Sequence, residues 1–340
     1  MESRVEDKYN SGKITIDDEV RERYLSAAYG IAGNHSGVQM CGWMRKALRG
    51  QGVCYKQKFY GVECHRCCQM SPALAWCQEN CVFCWRPMEW MRKISMGDEE
   101  VDSPEEIIEK TVEARKKVMS GVGGADDCNR TLFDDSFLKF PSHWAISLSG
   151  EPTIYPKIGQ LVKLLRNHEE VKSIFIVTNG QEPQMLEKMS TEGNLPTQLY
   201  VSLSAPNEEL FKKINKPVYA DGWARLNRTF EMLEGLDCRS VIRLTLIRNL
   251  NDDEKYLAEY GKLIEKARPD FIEVKSYMFL GLSRQRLEKE NMGPHEYVKE
   301  WSLLLEKHLP SFSIISEDLI SRVVLFKRND SKVENIISKA

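Results

Sequence analysis

From about residue 140 onward, apolar residues fall into short runs, and each run is followed by a longer segment with apolar residues at helical spacing. WAISLSG (144–150), SIFIVTNG (173–180), LYVSLSA (199–205), SVIRLTLI (240–247) and DFIEVKSYM (270–278) are rich in β-branched and aromatic residues and predict strands. The segments after them predict helices: Lys157–Asn167, Glu182–Met189, Asn207–Ile214 with Trp223–Leu233, Asp252–Ala267 and His295–His308. Strands alternating with helices are the pattern of parallel βαβ units. With one strand ahead of these, the expected α/β fold is an incomplete (β/α)6-type barrel, open on one side. SFSIIS and RVVLFKR predict a last pair of strands. Upstream, SPEEIIEKTVEARKKVMSG predicts a helix capped by Ser103, with Pro104 in its first turn, Glu106 closing a capping box and Gly121 near its end. Ile16–Tyr29 predicts one helix in an N-terminal extension. The expected division is an extension over 1–70, the barrel over 71–280, and a C-terminal helix and strands over 281–340 packing on it.

In such a barrel, chemistry sits at the C-terminal ends of the strands. Those ends carry Ser149-Gly150-Glu151-Pro152, Thr178-Asn179-Gly180, Ser202 with Ser204, and Lys275-Ser276-Tyr277. Any one of these is ordinary turn punctuation. Several together at corresponding strand ends mark a site.

Composition narrows the class. The chain has 340 residues, 42% of them hydrophobic, enough for one large core or two ordinary ones. No run approaches the roughly 18 apolar residues of a membrane span, and MESRVEDKYNSGKITIDDEV has no apolar secretory core. The expected location is the cytoplasm, where thiols stay reduced and clustered cysteines point to metal or catalysis. The net charge of −2 names no partner. Its distribution is uneven: Arg45, Lys46, Arg49, Lys56, Lys58 and Arg66 stand against Glu63 alone, whereas 98–109 is acidic. A solvated face is the ordinary reading of a charge run. The basic run also suits phosphates; Trp43, Tyr55, Phe59, Tyr60, Trp85 and Trp90 interleave with it, and any one of them is more often core.

The cysteines change the picture most. There are ten, and eight lie between residues 36 and 93. Cys77, Cys81 and Cys84 follow C-x3-C-x2-C. A structural zinc needs four ligands, and Cys64 and Cys67 with Cys81 and Cys84 would supply them, leaving Cys77, Cys41 and Cys54 unexplained. An iron–sulfur cube held by only three cysteines keeps one iron open to a substrate or cofactor. Cys41, Cys54 and Cys67 are a second evenly spaced triplet, C-x12-C-x12-C, although by spacing alone Cys64 and Cys68 compete with them. Cys128 and Cys238 read as structural.

The loop CQENCVFCW resembles the signature of the radical S-adenosylmethionine (SAM) enzymes, Phe83 matching its usual aromatic position. SGEP (149–152) resembles that family's GGEP motif, with Ser149 in place of the first glycine. The second triplet and the text NHSGVQMCGWMRKALRG, CYKQKFYG, QMSPALAWCQENCVFCWRP and SLSGEPTIYP are similar to the tRNA wybutosine-synthesis radical SAM enzymes, the 4-demethylwyosine synthases, over nearly the whole chain from residue 30. The resemblance implies two [4Fe–4S] clusters, on Cys77, Cys81 and Cys84 and on Cys41, Cys54 and Cys67, with SAM on the open iron of the first. It implies condensation of N1-methylguanosine at position 37 of tRNA(Phe) with pyruvate, Lys56 forming the Schiff base and Lys58 as the competing lysine. It points to Gly150, Glu151, Asn179, Ser202 and Ser204 for SAM, sets Cys64 and Cys68 aside as ligands, and gives the interleaved aromatics a flipped base to stack on. Relatives from eukaryotes carry a flavodoxin-like domain. The segment before residue 35 is too short for one, so a separate flavodoxin- or ferredoxin-type donor and a monomer of the shorter archaeal type are expected. The alternatives are another two-cluster radical SAM enzyme acting on RNA, such as a methylthiotransferase, and a zinc-stabilised RNA-binding module without catalysis.

Overall fold

The computed structural model describes residues 13–91 and 93–337. It opens with α1 (Asp18–Ser26) and a hairpin of β1 (Tyr29–Ala32) and β2 (Ser36–Gln39). The helix is shorter than the expected Ile16–Tyr29, and the hairpin was not expected. Its strands hold Gly30 and Gly37, which ordinarily weaken a strand, but here a Cβ on Gly37 would stand 2.6 Å from Leu74. Close packing against residues distant in sequence is what selects the strand.

Two short helices follow, α2 (Gly42–Leu48) and α3 (Tyr55–Tyr60), and then β3 (Cys67–Ser71). The capped helix is α4 (Pro104–Gly123), with both capping-box bonds formed by Ser103 and Glu106. It runs past the expected Gly121. After α5 (Arg130–Leu138) come the repeated units: β4 (His143–Ile146), α6 (Ile158–Arg166), β5 (Ser173–Thr178), α7 (Pro183–Thr191), β6 (Gln198–Leu203), α8 (Glu208–Ile214), α9 (Gly222–Met232), β7 (Arg239–Leu246), α10 (Leu257–Ala267) and β8 (Phe271–Ser276). The chain ends in α11 (His295–Glu306), β9 (Phe312–Asp318) and β10 (Val323–Arg328).

All ten strands belong to one sheet, ordered β1-β2-β3-β4-β5-β6-β7-β8-β10-β9. From β3 to β8 the six strands pair in parallel and in sequence order. The hairpin extends one edge and the C-terminal pair the other, all antiparallel. The two edges do not pair among the described residues, which leaves the incomplete barrel open. β10 hydrogen-bonds directly to β8, so the C-terminal strands continue the sheet.

Successive side chains on a strand point to opposite faces, so the sheet sorts its residues into two layers. One face packs on the helices through Cys68, Met70, Trp144, Ile146, Ile174, Ile176, Leu199, Val201, Ile242 and Leu244. The other lines the lumen, where Phe175, Tyr200, Val241, Phe271, Val323 and Leu325 meet Tyr55, Phe59 and Tyr60 of α3. α3 therefore plugs the lumen.

Candidate active site

The x12 spacings have a structural reason. Cys41 is the N-cap of α2, Cys54 is the N-cap of α3, and Cys67 opens β3. Each gap thus carries one short helix and a return loop. The groups that push the Cys54 thiol up to about 11 are burial and then Cys41, and Cys67 is raised by burial, Cys41 and Cys64. Cys64 lies beside this set: burial and Cys54 raise it to about 12. Cys68, one step along the strand, turns to the helix side, where burial alone raises it and Arg115 opposes. Cys41, Cys54, Cys64 and Cys67 therefore act on one another, and Cys68, although it also acts on Cys67, packs with the helix-side core.

The loop of Cys77, Cys81 and Cys84 is sewn to the barrel rim by backbone bonds. The Cys77 amide donates to Lys93 O (3.1 Å), Asn80 to Asn215 O (2.9 Å), Val82 to Ile214 O (2.9 Å), and Val218 to Gln78 O (2.8 Å). Burial raises all three thiols, and Cys81 feels Cys84 and Cys77 as well as Glu79. Cys64 is shifted by upstream thiols and Cys81 by loop groups.

Do these thiols fit a cluster? The Glu79 and Arg86 amides donate to Cys77 and Cys84, and the Lys56 amide to Cys54, contacts that favour thiolates. Burial and mutual repulsion oppose thiolates unless a cationic centre joins them. The donor chemistry fits an iron–sulfur centre at each triplet. Among the described residues, no three Cys, His, Asp or Glu side chains already stand at ligand separation around one point.

SGEP meets this loop closely. Gly150 has φ +69°, and a Cβ there would stand 1.9 Å from Ala73 O and 2.6 Å from Trp76 O. The Glu151 amide donates to Trp76 O (2.7 Å). Its carboxylate accepts from the Thr153 amide and hydroxyl, from Thr178 Oγ1 (2.7 Å) and from the Asn179 amide (2.8 Å), tying the ends of β4 and β5 together. Asn179 is half-buried beside the loop and donates to Gln78 Oε1 (3.4 Å). Ser202 is half-buried on the lumen face. The Ser204 hydroxyl is committed elsewhere: it donates to Asn215 Oδ1 (2.5 Å), Asn215 donates to Glu79 Oε2 (2.8 Å), and Cys81 donates to the same oxygen (3.1 Å).

Lys56, at the start of α3, reaches into the lumen with Nζ 4.5 Å from the ring centre of Phe175 and 4.6 Å from that of Tyr200. Burial holds its amine below the usual lysine range, Arg243 lowers it further, and Glu273, Cys54 and Cys67 oppose. Lys58 points away and donates to Glu317 O (2.5 Å). The basic run is divided in the same way. Arg45 and Lys46 are exposed, Arg49 pairs with Asp127 (3.4 Å), and Arg66 is buried against Asp135 and Glu170. Tyr55, Phe59 and Tyr60 are lumen core and are not available to a base. Trp43, Trp85 and Trp90 keep open surface, and Trp85 lies on the Arg86 guanidinium at 3.4 Å.

Residues 72–260 match the radical SAM superfamily, and residues 266–328 match the family described as wyosine base formation. The chain is 45% identical to the S-adenosyl-L-methionine-dependent tRNA 4-demethylwyosine synthase of Pyrococcus abyssi, over 94% of this chain and 93% of that one. The chain belongs to the tRNA 4-demethylwyosine synthase family. It is 36% identical to the Mus musculus protein of that name, over 95% of this chain and 43% of the longer relative. Two solved structures share the fold: "Structure of TYW1 with a lysine-pyruvate adduct bound" (TM-score 0.82, 34% identity, 94% of this chain and 98% of that one) and "Crystal structure of archaeal TYW1" (TM-score 0.75, 31% identity, 95% and 100%). Membership of this synthase family makes the chain a radical SAM enzyme and implies SAM and a [4Fe–4S] cluster.

Within the synthase barrel lies a polar group that sequence motifs do not name. Glu273, fully buried on β8, accepts from Tyr55 (2.9 Å), Tyr60 (2.9 Å), Tyr200 (3.1 Å) and Arg243 Nε (3.0 Å) and Nη2 (2.9 Å). Lys275, two residues on, donates to Ser321 O and is lowered to about 8, first by burial and then by Arg243. The signal was present: Arg243, Glu273 and Lys275 are charges inside otherwise apolar strand runs, and strand periodicity puts Glu273 and Lys275 on one face. Glu79 and Asn215 had no such signal, since nothing local says that they meet.

Proposed function

We propose that this chain is a 4-demethylwyosine synthase, condensing N1-methylguanosine-37 of tRNA(Phe) with pyruvate to form the tricyclic wyosine base. The observation that carries this reading is the Lys56 amine, set against the lumen rings of Phe175 and Tyr200 two residues from Cys54, where burial holds it below the ordinary lysine range. Such an amine is a better nucleophile near neutral pH than a solvated one. It adds to the keto carbon of pyruvate, water leaves, and a C=N bond remains. The lysine–pyruvate adduct named for a solved relative supports the same assignment.

Cys77, Cys81 and Cys84 would hold one [4Fe–4S] cluster with SAM, and Cys41, Cys54 and Cys67 a second. With reductant from a flavodoxin- or ferredoxin-type donor, the first cluster and SAM supply a hydrogen-abstracting radical. The chain's own groups do the positioning. Gly150 lets the SGEP turn approach the cysteine loop, Glu151 fixes that turn to β5, Asn179 and Ser202 face the SAM side, and Ser204 steadies the loop through Asn215 and Glu79. Arg45 and Lys46, with Trp43 and Trp85, offer charge and open rings to the tRNA. The enzyme works as a cytoplasmic monomer.

The test combines reconstituted protein, SAM, pyruvate, N1-methylguanosine-containing tRNA(Phe) and a reductant, followed by nucleoside mass spectrometry. The tricyclic base is expected, and Lys56→Ala should yield none. Cleavage of SAM with the methylguanosine left intact contradicts the reading.

A further inference from the structure

Arg243 sits on β7 in register with Glu273 on β8, both facing the lumen. Its guanidinium is a planar fork, and its edges are used unequally. Nε and Nη2 clamp Glu273, and Nη2 also donates to Tyr55 Oη (2.9 Å). Nη1 makes no hydrogen bond among the described residues, and the side chain keeps 20% of its surface open. Glu273 cannot turn to meet it, because both its oxygens are held by tyrosines as well as by this arginine. The result is a cation fixed at the back with one donor edge left forward.

The guanidinium and the Lys56 amine share one aromatic ring. Arg243 Cζ is 4.3 Å from the Tyr200 ring centre, and Lys56 Nζ is 4.6 Å from the same centre. Arg243 is a fixed cation beside that amine, and its free donor edge suits an anion. Of the other cations on this face, Lys275 is turned to Ser321 O and Arg239 to Glu334 O and Asn335 O.

We propose that Arg243 is the carboxylate anchor for the 2-oxo acid, its Nη1 edge holding the acid's carboxylate while the keto carbon meets Lys56. This rests on the reading of Lys56 as the imine-forming residue. The specificity then belongs to a protein cation and does not require iron to hold the carboxylate. Charge-assisted hydrogen bonds of this kind are worth about tenfold to hundredfold in binding. The imine step stays balanced, with the amine and the keto oxygen losing water and the carboxylate keeping its charge.

The experiment uses the full, cluster-loaded chain without SAM or reductant. It compares cyanoborohydride trapping of pyruvate with that of its uncharged methyl ester, each normalised to trapping by a free amine. Wild type should favour pyruvate at least about tenfold, Arg243→Gln should abolish that preference while still trapping the ester, and Lys275→Gln should keep it. Should Arg243→Gln fail to fold, Arg243→Lys serves. Its ammonium cannot hold Glu273 and a ligand on separate edges, so the preference should fall at least about threefold. Equal trapping of acid and ester by wild type, or an unchanged preference in either Arg243 variant, overturns the anchor. Absence of any adduct at Lys56 in wild type instead overturns the reading beneath it.

Discussion

Gly150 and Gly50 separate two uses of glycine at the residue scale. Both have positive φ, +69° and +66°, but a Cβ on Gly50 meets nothing within 4 Å, whereas one on Gly150 collides with two backbone carbonyls. Gly50→Ala should cost only the conformational strain, about 1 kcal/mol. Gly150→Ala should cost at least about 2 kcal/mol more, because neither carbonyl can yield without moving the cysteine loop. Denaturant midpoints of the two variants check this, and equal shifts would show that the close approach is not rigid. The same reasoning explains why SGEP was legible as a motif while its physical role was not. The sequence marks a glycine at a strand end, and only the fold supplies the carbonyls of Ala73 and Trp76.

At the scale of elements, strand alternation was readable and helix plugs were not. The runs from WAISLSG to DFIEVKSYM are apolar because both faces of a central parallel strand are covered, and all five became strands. YKQKFY has no such pattern, since a six-residue helix shows less than two turns of periodicity. Its aromatics therefore looked free for a base when they are lumen core. β4 adds a second lesson. His143 is buried, with Nδ1 against Ser173 Oγ (2.7 Å) and Nε2 accepting from the Glu63 amide (3.1 Å), and burial depresses it to about 4. A histidine whose folded pKa lies below its unfolded value of 6.5 binds protons more readily when unfolded. Its contribution is therefore present above pH 6.5 and lost as pH falls toward 4, by up to about 3 kcal/mol. Unfolding free energies between pH 7 and pH 5 should fall less steeply in His143→Gln, and an unchanged slope would assign the acid sensitivity elsewhere.

Across the whole molecule, one open sheet carries both cysteine segments and one half-buried lumen lysine. The zinc alternative and the two-cluster reading differ in which thiols must share one metal centre. On the two-cluster reading, reconstituted wild type should hold close to eight irons, and replacing Cys41, Cys54 and Cys67 with alanine should leave about four. Stoichiometric zinc, or iron unaffected by that replacement, would remove the second cluster. Spacing alone left Cys64 and Cys68 competing with the upstream set, because spacing says nothing of which face a thiol takes. The central claim is that Lys56 carries pyruvate, and the most direct measurement is peptide mapping after borohydride treatment with pyruvate. A reduced pyruvate adduct on Lys56, absent in Lys56→Ala, is the predicted result; an adduct on Lys58 or Lys275, or one that survives Lys56→Ala unchanged, would contradict it.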